Sequence, residues 1–100
     1  MNLPLALRRR ARLDLLDAIL WHDDQRTGLG DELEAAVDAA LETISERPKS
    51  FPAVGGGARR ALTKQFSYAI YFKQEAVAII VFAILHSFTR RGRLASGSGG

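Results

Sequence analysis

The chain of 100 residues has no cysteine. That removes a disulfide framework and any thiolate nucleophile or thiolate metal site, and it fits a reducing cytoplasm. Long hydrophobic runs are missing too. The longest apolar stretch, Ala76 to Leu85, is ten residues, and a membrane-spanning helix needs about 20. The opening "MNLPLALRRR" places apolar residues before arginines, the reverse of a secretory signal, so the expectation is an intracellular protein without a membrane partner. No Ser-His-Asp arrangement, phosphate loop or Gly-x-Gly-x-x-Gly occurs, and "VGGGARR" lacks the Lys-Ser/Thr that a phosphate loop requires. Only two histidines, His22 and His86, are present. His22 sits beside Asp23 and Asp24 at the end of an expected helix, but no second histidine lies at ligand spacing. A solvated helix end is the simpler reading, and no metal or cofactor is expected.

Acid is scarce in one half. Residues 57–100 carry seven Lys+Arg and a single acid, Glu75, whereas residues 1–56 carry seven Lys+Arg and ten Asp+Glu. A basic unit is thus joined to an acidic one. Such asymmetry points to an anionic partner, either nucleic acid or an acidic protein segment, or else to a basic face that only keeps the chain in solution.

What is present has clear periodicity. "NLPLAL" (2–7) reads as a short strand that sits at an edge or begins at Pro4, which lacks an N–H. From Arg8 to about Asp24 the pattern is helical, with Leu13, Leu16, Ile19 and Leu20 expected on one buried face. "RTGLG" breaks that helix. A second is expected, with Asp31 as its plausible start, Leu29, Leu33, Val37, Leu41 and Ile44 as its stripe and Pro48 as its stop. The two form a helical hairpin. "RPKSFPAVGGG" reads as a loop, "ARRALTKQF" as an edge strand, "FSYAIYF" (66–72) as a strand and "KQEA" (73–76) as a tight connection. "VAIIVFAIL" reads as a strand buried on both faces. Strands joined so closely are antiparallel. The expected fold is α+β, an amino-terminal helical hairpin packed on a small antiparallel sheet, in one domain over 1–94 with a flexible tail at 95–100.

Several strings resemble the RelE/ParE superfamily, the toxins of bacterial type II toxin–antitoxin modules. They are "ARLDLLDAILWH", "TGLGDELEAAVDAALETISERPKSFP", "RRALTKQFSYAIYF" and "VFAILHSFTRR", in that order between about Leu5 and Arg91. Ser67 stands where relatives often have proline. Extra residues separate His86 from Arg90, and the family's Pro-x-x-Trp ending is missing. The resemblance implies a cognate antitoxin with an acidic carboxyl-terminal segment that folds on binding. It leaves the target open: RelE-like members cut messenger RNA on the ribosome, and ParE-like members inhibit DNA gyrase without being nucleases.

A metal-free RNase must activate the 2′-hydroxyl, stabilise the phosphate and protonate the leaving oxygen. The candidates for such work are Arg60, Lys64 and His86. His86 has a suitable ordinary pKa, though it could equally cap the strand. Arg59, Arg60, Lys64, Arg90 and Arg91 are the candidates for partner contact. Arg60 could instead pair with Glu42 or Glu46. Arg59 and Arg60 should face opposite sides of their strand, as should Tyr68 and Tyr71, which prevents the tyrosines from forming one stacking platform. "LRRRAR" (7–12) places cations at a helix start, against its dipole. Within that resemblance, the sparse acid–base groups, the split tyrosines and the strings "FSYAIY" and "ILH" lean to the ParE-like side, which implies a growth inhibitor and plasmid-stabilisation toxin; the alternatives are a RelE-like endonuclease and a degenerate toxin that only binds antitoxin.

Overall fold

The computed structural model describes residues 2–87, so Arg90, Arg91 and the expected tail at 95–100 lie outside the described residues. The chain forms strand β1 (Leu5–Leu7), helices α1 (Arg9–Gln25) and α2 (Leu29–Glu46), a 3-10 turn over Pro48–Ser50, and strands β2 (Ala53–Gly55), β3 (Ala58–Leu62), β4 (Tyr68–Gln74) and β5 (Ile79–His86). The class is α+β, with the expected helical hairpin set against a sheet.

The sheet has five strands in the order β1-β5-β4-β3-β2 and is mixed. β5 pairs antiparallel with β4 but parallel with β1, Leu5 opposite Ile79 and Leu7 opposite Val81. This corrects the purely antiparallel expectation. A three-residue strand at the chain start pairs with the last one, a contact that no local pattern encodes. β3 is likewise not an edge. β2, hidden in the expected loop, pairs with it and takes the edge position.

β4 runs through Gln74, so the connection is Glu75–Ala78, closed by the Glu75 N–H donating to the Ala78 carbonyl at 2.7 Å. Phe66 and Ser67 precede the strand instead of opening it. Both have positive φ, 72° and 56°, a region that bulky side chains enter at a cost. Thr63 holds this turn. Its N–H donates to the Tyr68 carbonyl at 2.8 Å, and its hydroxyl donates to the Gln65 carbonyl and accepts from the Tyr68 N–H at 3.0 Å.

β5 was expected to be buried on both faces. It buries Ile79, Val81 and Ile84 under the helices, while Ile80, Phe82, Ala83 and Leu85 are only half-buried. Its pairing with β4 skips Phe82, a bulge. Beyond Val81, no strand among the described residues lies on the β1 side of β5. There the Arg8 N–H donates to the Val81 carbonyl at 2.8 Å, and the Ile84 N–H donates to Asp14 Oδ2 at 3.0 Å. Helix α1 thus satisfies backbone groups that a longer β1 would have covered.

The helices differ in how they meet this core. α2 buries Leu33, Val37 and Ile44 as its stripe requires. It begins two residues before the expected Asp31, because Gly28, at φ 97°, makes the turn. Asp23 of α1 caps it, accepting from the N–H groups of Gly28 (2.9 Å) and Gly30 (3.1 Å). Gly30 is buried where the helices touch. A Cβ there would stand 2.7 Å from the Ile19 carbonyl oxygen. α1 overturns its expected face. It buries Ala11 and Ala18, with Leu15 and Ile19 half-buried, and leaves Leu13, Leu16 and Leu20 at 48%, 50% and 60% exposure. Small residues allow α1 to lie close to β5, and that turns the leucines outward.

Candidate functional site

Cross-strand pairs share a face of the sheet. Ala61 opposite Ile70, Ile70 opposite Ile84 and Tyr68 opposite His86 therefore define the helix-covered face, whose members Ala61, Tyr68, Ile70 and Ile84 belong to the core. Arg60 opposite Tyr71, and Tyr71 opposite Ala83, define the other. The tyrosines are split as the alternation requires, Tyr68 buried and Tyr71 half-buried. The arginines are split as well.

Arg59 lies on the covered side, and its guanidinium Nη1 donates to the Phe51 carbonyl at 2.6 Å, which fastens the segment after α2 to β3. Arg60 lies across from Tyr71, whose ring approaches Phe82 at 6.3 Å. The ion pairs among the described residues are Arg10–Asp14 and Arg26–Glu32, so Arg60 does not pair with Glu42 or Glu46. Lys64 is exposed in the turn after β3. His86 ends β5 with its ring edge-on to Tyr68 at 5.3 Å. The structure therefore places Arg60 and His86 on opposite faces of the sheet and does not gather Arg60, Lys64 and His86 around one point.

His86 instead belongs to a cluster that also contains His22. His22 Nε2 lies 3.3 Å from the Tyr68 hydroxyl, and its ring packs edge-on against Phe66 (5.0 Å) and Trp21 (4.9 Å). His22 is thus a half-buried member of the helix–sheet junction and not the solvated helix end expected. Burial first, and then the nearby charge of His86, lower its pKa below the ordinary 6.5. Burial raises the pKa of Tyr68 above 10. Chain separation concealed this cluster, since His22 and Tyr68 are 46 residues apart. Among the described residues no group of three or more His, Cys, Asp or Glu is placed to hold a metal ion.

Lys64 participates in a different feature. A groove of about 540 Å³ runs along α2, walled by Ala35, Ala36, Ala39, Ala40 and Thr43 and, across from them, by Phe51 and Leu62, with Glu32, Lys64 and Gln65 around it. The string "AAVDAALET" carried the signal: small residues four apart on a helix make a shallow trough that another chain can approach closely. Leu62, half-exposed, gives the trough an apolar wall, and Lys64 supplies a cation beside it. Glu32 and Lys64 give the groove one charge of each sign.

No helix among the described residues is long and apolar enough to cross a membrane. No protein-family model and no curated protein matches the sequence. A solved structure does: a chain of the chromosomal ParDE toxin–antitoxin system from P. aeruginosa superimposes with a TM-score of 0.67, over 84% of this chain and 95% of that one, at 20% sequence identity. The fold of this protein is the α+β fold of that ParDE chain.

Proposed function

We propose that this protein is the toxin of a type II toxin–antitoxin module, a ParE-like cytoplasmic growth inhibitor that binds DNA gyrase and is neutralised by a cognate antitoxin. The observation that carries the reading is the fold shared with the ParDE chain across 84% of the sequence. The distribution of side chains favours action by binding over catalysis. Arg60 and His86 occupy opposite faces of the sheet, and the His86 ring is packed against the buried Tyr68. A RelE-like endonuclease working through Arg60, Lys64 and His86 would need to bring these groups to one phosphate.

The antitoxin segment, on this reading, lies in the α2 groove with apolar residues against Ala35, Ala39 and Leu62 and an acid at Lys64. Arg60 offers a second cation on the uncovered face of the sheet. Ala39→Trp fills the groove without touching the core, and it is expected to weaken antitoxin binding at least ~10-fold in titration calorimetry. Unchanged affinity would move the antitoxin elsewhere.

Induction in cells tests the activity. Growth arrest with a relaxed reporter plasmid and intact messages is the expected result. Codon-linked message ends with normal supercoiling would replace the gyrase reading with the nuclease one. No effect on growth would leave only antitoxin binding.

A further inference from the structure

Helix α1 presents an exposed stripe that neither the core nor the α2 groove uses. At about 100° per residue, Arg9, Leu13, Leu16, Leu20 and Asp24 fall within a sector of about 80°, a line about 22 Å long. All five are exposed. The line reads Arg, Leu, Leu, Leu, Asp. Turned end for end, it reads Asp, Leu, Leu, Leu, Arg. It is complementary to itself, the property a two-fold interface demands.

The charges of α1 give the second observation. A helix is stabilised by acids in its first turn and bases in its last, because its dipole is positive at the amino end. α1 has no acid in its first turn. It opens on Arg9, Arg10 and Arg12 and closes on Asp23 and Asp24. Its N-cap, Arg8, makes no side-chain capping bond. Within one molecule this order opposes the dipole at both ends. In an antiparallel pair it is favourable, since each basic end meets the acidic end of its neighbour and the two dipoles run opposite ways. Arg9 would then face Asp24, Leu13 would face Leu20, and the two Leu16 side chains would meet at the axis. Arg12 and Asp23, on one flank, are already engaged within the chain, Arg12 Nε donating to the Leu7 carbonyl and Asp23 Oδ1 capping α2.

We propose that the outer face of α1 is a self-association surface, and that its occupant is the α1 helix of a second copy of this chain, antiparallel and related by a two-fold axis. The inference does not depend on the toxin reading. A contact of one helix on one helix belongs to the small end of protein interfaces, so the dimer is concentration-dependent, with dissociation in the range of tens of micromolar. Asp17 lies on the other flank close to the axis, where it approaches its own copy. That repulsion holds the affinity down.

Sedimentation velocity of the full chain from about 1 to 500 μM tests this. A monomer–dimer equilibrium is expected. Leu16→Glu should abolish it, and because Leu16 is half-exposed the far-UV circular dichroism should not change. Arg9→Asp alone should weaken association about 10-fold, and Arg9→Asp combined with Asp24→Arg should restore it to within about 3-fold of the parent. Asp17→Asn should tighten it. A monomer at every concentration would overturn the proposal, as would a dimer indifferent to Leu16→Glu or one in which the double charge exchange fails to restore what the single exchange lost.

Discussion

Helices α1 and α2 are neighbours of similar length, and they are built on opposite plans. α2 turns its large apolar residues, Leu33, Val37 and Ile44, into the core and places Asp31 and Glu32 in its first turn, where its dipole favours them. α1 buries alanines, displays leucines and carries its charges against its dipole. One helix is explained by the fold alone. The other is held in place by the fold through Ala11, Leu15, Ala18, Ile19 and Asp14 while Leu13, Leu16, Leu20 and Trp21 stay about half exposed. The contrast teaches that hydrophobic content and burial are separate properties of a helix: tight approach to β5 selects small residues on the contact face, and leucines on such a helix are free to serve another surface.

Substitution should break this contrast most strongly at Leu33 of α2. Leu33→Ala should cost about 2–5 kcal/mol in urea unfolding, since Leu33 is fully buried. Gly30→Ala should follow at about 1–3 kcal/mol, because the new methyl would press on the backbone of α1 at Ile19 and on the Ile19 side chain. Leu13→Ala and Leu20→Ala on α1, made in monomeric protein, should change stability by less than about 1 kcal/mol. Equal losses on the two helices would erase the distinction.

The junction that joins α1 to the sheet gives a sharper, pH-dependent test. Folding lowers the pKa of His22, so below pH 6.5 the unfolded chain binds the proton more readily than the native one. Stability should be complete above about pH 6.5 and decline as the pH falls below it. His22→Phe, which keeps the ring among Phe66, Trp21 and Tyr68, should flatten that decline. Tyr68 contributes the opposite slope at the alkaline end: its raised pKa means stability falls as the pH rises above about 10.

Ser67 should show the smallest effect in one direction and a clear one in the other. At φ 56° glycine is at ease, and Ser67→Gly should be neutral or stabilise by up to about 1 kcal/mol. Proline is fixed near −65°, so Ser67→Pro should destabilise by more than that, measured by thermal unfolding. The turn at Ser67 takes a conformation that proline cannot adopt.

The legible parts of the fold were those with a local period. The hairpin of helices, the α2 stripe and the adjacency of β4 and β5 follow from spacing and short connections. Ala11 and Ala18 carry too little hydrophobicity to advertise a buried face, so Leu13, Leu16 and Leu20 took their place. β2 was concealed in "PAVGGG", where Ala53 and Gly55 pair with β3 across an irregular register. The parallel pairing of β1 with β5 and the contact of His22 with Tyr68 and His86 join distant segments, and no window of sequence contains them. Of the candidate site, the split of Arg59 from Arg60 and of Tyr68 from Tyr71 was legible from strand alternation. That Arg59 is bound to Phe51, and that Lys64 borders a groove on α2, required the tertiary arrangement.

The proposed action, binding to DNA gyrase, can be tested directly. The direct measurement is supercoiling of relaxed plasmid by purified DNA gyrase with increasing amounts of this protein, alongside translating ribosomes programmed with a defined message. Inhibited supercoiling, reversed by antitoxin and unaffected by His86→Ala, together with an intact message, is the expected result. Normal supercoiling with a message cleaved in the ribosome, and cleavage lost in His86→Ala, would contradict it.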